Sequence, residues 1–152
     1  MQLSITEENP TTKDTLMLME ELSEILKSIT GDSGKSSFSI DDLNNCNSFF
    51  LIARNKYNNP VGCGSIRQID NKVGEIKRMY SKLPGVGKQI LTELEIRAIK
   101  LGYEFLILET RKVNKRAVDF YLKNRYKVIP NYGKYIGNNE AICFQKILKK
   151  EN

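Results

Sequence analysis

Gly74-Glu75-Ile76-Lys77-Arg78-Met79-Tyr80-Ser81-Lys82-Leu83-Pro84-Gly85-Val86-Gly87-Lys88 is the stretch that decides the fold. A strand-like run ends at Tyr80-Ser81, and a glycine turn follows at Gly85-Val86-Gly87. An amphipathic pattern then starts near Lys88, with Leu91, Leu94, Ala98 and Leu101 on one face and Gly102 as its stop. Glycines in such a turn expose backbone N–H groups at a helix N-terminus, where the positive end of the helix dipole favours a phosphate. The apolar run Phe105-Leu106-Ile107-Leu108 suits a central strand parallel to the one before the helix, giving a right-handed βαβ unit. Ile76 and Met79 have opposite parity in the first of these strands, which calls for burial on both faces or for a bulge that would free backbone groups for a ligand.

Upstream, residues 2–6 alternate as an edge strand does, and Leu18, Leu22, Ile25 and Ile29 form the stripe of a helix over residues 13–30 that stops at Gly31. Residues 31–47 are polar and read as a loop around a short helix. Residues 49–56 and 60–69 flank Tyr57-Asn58-Asn59-Pro60 as a hairpin, and residues 73–81 add a third strand after the turn Asp70-Asn71-Lys72. Gly62-Cys63-Gly64 marks a strand bulge or a close backbone approach. Downstream, Asn114 can cap a helix over residues 115–126, and residues 127–132 and 141–148 finish as strands. There is no internal repeat and no linker, so all 152 residues are expected to form a single domain.

Hydrophobic content of 40% and charged content of 28% suit a folded, soluble protein. The longest apolar run, residues 49–53, is far below the roughly 20 residues that span a bilayer. Residues 1–10 lack a basic segment followed by an apolar one, so a cytoplasmic location is expected. Cys46, Cys63 and Cys143 form no CxxC pair, and the chain has no histidine, which removes histidine triads and the familiar zinc sites. No metal is therefore expected, and the chemistry falls to carboxylates, tyrosines and backbone. The net charge of +6 comes from basic residues interleaved with acidic ones, so nucleic-acid binding is not expected, nor is a membrane partner.

Across residues 49–148 the chain resembles the GCN5-related N-acetyltransferase (GNAT) superfamily, in particular its small bacterial members. Gly74 to Tyr80 leading into the glycine turn, then Leu94-Glu95, Leu108-Glu109-Thr110, Asn114, Ala117, Phe120-Tyr121 and Lys123-Asn124, fall in the order and spacing of those members. Gly31-Asp32-Ser33-Gly34 with Ser37-Phe38 resembles their acceptor-side loop. The resemblance implies an α/β (α+β) fold, a twisted mixed sheet flanked by helices around a βαβ acetyl-CoA-binding unit. It implies acetyl-CoA as co-substrate, held by Met79, Tyr80 and Ser81 along the strand, by Lys82, Gly85, Val86, Gly87 and Lys88 at the pyrophosphate, and by Asn114, Ala117 and Tyr121 from the last helix. Lys82 stands where members usually carry Arg or Gln, the connection before Gly85 is about five residues shorter, and Pro84 has no N–H to offer. Arg111 and Arg125 occupy places where glycine is usual.

By the same resemblance Tyr121 is the candidate acid that protonates the departing thiolate. A phenol of pKa about 10 stays protonated at neutral pH and can donate as that charge develops. An acceptor amine of pKa about 10.4 must lose a proton, which costs roughly 4 to 5 kcal/mol at pH 7. Glu75, then Glu109, are the carboxylates placed to take it, each with the alternative of a salt bridge, to Arg78 or to Arg111. The expected reaction is direct acetyl transfer to the primary amine of a small molecule or peptide. The shortened loop also allows a non-catalytic acyl-CoA-binding or regulatory module, and the final strands could pair across a two-fold axis as a homodimer.

Overall fold

β4 (Val73–Ser81) and β5 (Phe105–Arg111) lie side by side near the centre of a seven-stranded sheet of order β1-β2-β3-β4-β5-β7-β6. The computed structural model describes residues 2–149. The remaining elements are β1 (Ser4–Glu7), α1 (Lys13–Thr30), β2 (Phe49–Arg54), β3 (Pro60–Gln68), α2 (Val86–Lys100), α3 (Lys115–Lys123), β6 (Lys127–Ile129) and β7 (Ala141–Ile147). Every strand pair is antiparallel except β4 with β5, so the sheet is mixed, and α2 is the crossover of its one βαβ unit.

The run Phe49 to Ala53 is apolar throughout because β2 is buried on both faces. Phe49, Leu51 and Ala53 join the large core with Val86, Ile90, Leu91 and Leu94 of α2 and Tyr121 of α3. Phe50 and Ile52 alternate to the opposite face, where they meet Leu18 and Met19 of α1. Helix α2 comes down so closely on β3 that a Cβ on Gly62 would stand 2.8 Å from the Ile90 side chain and 2.9 Å from that of Val86, and one on Gly64 3.1 Å from both Ile90 and Leu94. Gly62-Cys63-Gly64 thus marks a close approach, and a bulge lies beside it. The β3–β4 register shifts between Cys63 and Ser65, opposite Arg78, whose φ is +54°. That bulge accounts for the opposite parity of Ile76 and Met79.

Several boundaries differ from the periodicity. The buried face of α1 is Leu18, Met19 and Leu22, whereas Ile25 and Ile29 are 41% and 42% exposed, because the last turns of α1 overhang a groove instead of the sheet. Leu101 is the exposed cap residue of α2, not part of its buried stripe. α3 stops at Lys123, and Arg125 takes φ +72°, in the left-handed region that favours glycine. β6 ends at Ile129 because Pro130 cannot donate to the ladder, and a 3-10 turn, Gly133–Tyr135, follows. The polar loop after α1 holds two short 3-10 turns, Lys35–Ser37 and Ile40–Leu43. Among the described residues no helix is long and apolar enough to cross a membrane, and no group of three or more acidic or cysteine side chains could hold a metal ion.

Candidate active site

β4 and β5 pair only over Val73–Glu75 and Phe105–Ile107, although the strands run on to Ser81 and Arg111. Beyond Ile107 β5 stays bound to β7, while β4 bends away at the Arg78 bulge, and the two strands splay. The edge of β4 that faces the gap has no strand to satisfy it, so an extended ligand carrying amides could pair there as an added strand would.

Three cavities adjoin one another, two at the gap and the third beside the paired stretch that precedes it. The first, about 500 Å³, is a groove between the end of α1, the end of β4, the glycine turn and α3. Met79, Tyr80, Ser81, Gly85, Gly87, Lys88, Asn114, Ala117 and Tyr121 all line it. Gly85 caps α2 at φ +85°, and the N–H groups of Gly85, Gly87 and Lys88 have no acceptor among the described residues, so three donors converge at the helix N-terminus. The Val86 N–H is spent on the Leu83 carbonyl and its side chain is in the core, and the Lys82 ammonium pairs with Glu21 at 2.9 Å. Those two residues of the expected cofactor set do not line the groove.

The middle cavity, about 160 Å³, opens from that groove and shares Met79, Asn114, Ala117 and Tyr121 with it. Tyr121 is 6% exposed and packs edge-on against Phe120 and Tyr126. Its hydroxyl has no partner among the described residues yet is not a sealed-off polar atom, so it opens onto the cavity, and burial raises its pKa. Glu109 enters from β5. One of its oxygens takes the Arg111 guanidinium at 2.7 Å, and burial, partly offset by Arg111 and Lys77, holds its carboxyl above the ordinary range. Asn114 caps α3 through the Ala117 N–H at 3.3 Å.

The third cavity, about 800 Å³, lies beyond a partition made by Ser37, Phe38, Lys77 and Tyr135, which line both it and the middle cavity. Glu75 belongs here, 1% exposed, and both its oxygens are taken. Oε1 accepts from Arg67 at 2.7 Å and lies 3.7 Å from Lys77, and Oε2 accepts from the Tyr132 hydroxyl. The alternative Glu75–Arg78 bridge does not form. The Arg78 guanidinium instead reaches α1, donating to the Met19 carbonyl at 3.0 Å and to the Ser23 hydroxyl, because the positive φ at the bulge turns its side chain to that face. The Glu109–Arg111 bridge does form.

Residues 17–125 match the model of the acetyltransferase (GNAT) family. The chain belongs to that family. The curated relative YsnE of Bacillus subtilis, called an uncharacterized N-acetyltransferase, is 43% identical over 54 residues, which span 33% of this chain and 36% of that one. The chain thus aligns with about a third of that relative's length. Solved structures share the GNAT fold over nearly the whole chain. A Klebsiella pneumoniae chain named for acyl-CoA N-acyltransferase activity has a TM-score of 0.82 at 24% identity, covering 97% of this chain and 99% of its own. The PaiA N-acetyltransferase of Thermoplasma acidophilum, solved with coenzyme A, has a TM-score of 0.71 at 22% identity, covering 97% and 99%. A GNAT acetyltransferase of Elizabethkingia anophelis, solved with acetyl-CoA, has 0.70 at 17%, covering 96% and 98%.

Against that GNAT frame, sequence reading passed over the basic side of the site. Lys77 and Arg67 are basic residues inside two central strands, and that charge was the one signal available. Lys77 donates to the Ser37 carbonyl at 3.0 Å and to the Tyr135 hydroxyl at 3.1 Å, and burial lowers its pKa. The partners it joins are 40 and 58 residues away in sequence, beyond any local pattern.

Proposed function

We propose that this GNAT chain transfers the acetyl group of acetyl-CoA to a primary amine of a small molecule or peptide, by direct attack within a ternary complex. The observation that carries this reading is the continuity of the groove with the middle cavity, which places three free N–H donors at one end and Tyr121 with Glu109 at the other. Acetyl-CoA supplies an activated thioester carbonyl. Gly85, Gly87 and Lys88 bind its pyrophosphate through backbone N–H groups, and Met79 to Ser81 orient the pantetheine arm along the open edge of β4. Backbone N–H at the bulge, where Arg78 and Met79 leave the ladder, polarises the carbonyl oxygen.

Glu109 takes the amine proton, directly or through water, as the C–N bond forms, and Tyr121 gives its proton to sulfur as the C–S bond breaks. Glu109 suits the role better than Glu75, which lies in the third cavity with both oxygens occupied, whereas Glu109 faces the same space as Tyr121 and has a raised proton affinity. Glu75 instead anchors Arg67, Lys77 and Tyr132.

Isothermal titration with acetyl-CoA and with CoA, followed by thiol release over a panel of amines, tests this. Saturable binding with amine-dependent release supports the enzyme. Tight binding with no turnover over the panel would make the chain a non-catalytic acyl-CoA-binding module, and no binding at millimolar ligand would sink both readings.

A further inference from the structure

The third cavity bears on what the acceptor amine carries at its far end. Lys35, Arg67, Lys77 and Lys134 line it against only Asp42 and Glu75. Lys35 is matched by Glu20 at 3.1 Å. Arg67 and Lys77 share the single carboxylate of Glu75, and Asp42 stands 3.9 Å from Arg67. Lys134 has no carboxylate partner among the described residues, and its ammonium rests on the Ser36 carbonyl at 3.3 Å. Lys77 and Lys134 both approach the Tyr135 ring, each 5.7 Å from its centroid. Two ammonium groups therefore gather at one aromatic ring, one of them well buried, while Glu75 already accepts from Arg67 and Tyr132 and Glu109, across the partition, is the other carboxylate whose charge reaches both.

We propose that the third cavity is the acceptor chamber and that it selects a primary amine bearing an anionic group, as an amino acid bears its carboxylate. The inference rests on the acetyltransferase reading above. The anion sits at Lys134 and Lys77, with the Tyr135 hydroxyl beside them. The amine passes the Lys77–Tyr135 partition to reach Glu109 in the middle cavity. A polycationic acceptor meets an excess of positive over negative side chains at the same place and is rejected, so the specificity has a repulsive as well as an attractive part.

The test compares matched acceptors at saturating acetyl-CoA: L-glutamate, glycine and β-alanine, the methyl ester of each, and spermidine. Thiol release should give the free acids a kcat/KM advantage of about tenfold or more over their esters, with spermidine poorest. Lys134→Ala should shrink that advantage and Lys134→Glu abolish or invert it, with the acetyl-CoA Kd from titration unchanged. Esters or spermidine preferred by the native chain, or an acid preference untouched in Lys134→Glu, overturns the proposal. A readout independent of turnover is titration of the native chain with N-acetyl-L-glutamate and with its dimethyl ester. Binding of the acid alone supports an anion-selective chamber even where acetyl-CoA fails to bind, and equal or absent binding of the two, together with no acid-selective turnover, overturns it.

Discussion

On the glycine-turn side of the splayed strands the groups left without partners are backbone, the N–H donors of Gly85, Gly87 and Lys88 and the open edge of β4. On the other side the groups are side chains tied across the chain, Lys77 to the Ser37 carbonyl over 40 residues, Glu75 to Tyr132 over 57 and Lys77 to Tyr135 over 58. The first side needs a turn, a helix start and a strand in consecutive order, and tolerates any side chain that keeps them. The second depends on where two loops happen to land. A backbone site suits the invariant part of a reaction and a side-chain site the variable part, which is why one fold can serve many acceptors.

The sharpest way to break this contrast is at the junction of the two sides. Tyr121→Phe keeps the packing with Phe120 and Tyr126 and removes only the hydroxyl, so kcat should fall about 1000-fold with acetyl-CoA affinity within about twofold of native. A mutant as active as the native chain would strip Tyr121 of its role. Gly87→Asp should weaken acetyl-CoA binding by about 100-fold, because the carboxylate displaces the pyrophosphate from the helix N-terminus, while the melting temperature holds or rises, since an acidic residue there favours the helix. Loss of affinity accompanied by unfolding would mean that the turn matters for stability and not for phosphate.

Glu109→Gln should cost about 100-fold in kcat at neutral pH, at the lower end of the range of general-base effects. Because burial raises the Glu109 pKa, the native rate should fall as pH drops through a value above the ordinary carboxylate range, where Glu109 becomes protonated and can no longer accept. That acid limb should vanish in the Gln variant. A limb that persists would move the base elsewhere. The smallest effect is expected on the side-chain half. Lys77→Met should raise the acceptor KM about tenfold and leave the acetyl-CoA Kd unaltered, as the removal of one partly buried charged hydrogen bond implies. If acetyl-CoA binding changed equally, the two halves would not be separable.

Most strands and helices were legible because each follows from a local rule: the 3.6-residue stripe of α2, the continuous apolar run of β2, the turn residues between β3 and β4. The bulge at Arg78 was visible as a parity conflict between Ile76 and Met79. The short β6 could be read from Pro130 once its place beside β7 was known. The exposure of Ile25 and Ile29 was not legible, since helical periodicity reports a face but not what lies beneath it.

The sequence alone thus determined the mixed α/β architecture, the glycine turn at the head of α2 and the presence of Tyr121 and two candidate carboxylates near the ends of adjacent strands, because propensity, periodicity and turn chemistry act over a few neighbouring residues. Only the tertiary structure separated the surroundings of those carboxylates, setting Glu75 against Arg67 and Tyr132 and Glu109 on the cavity of Tyr121. Strands that part after three paired residues, and side chains that meet across more than fifty, depend on how far apart the backbone carries them. Coulombic and desolvation energies follow that separation in space, not the separation in sequence.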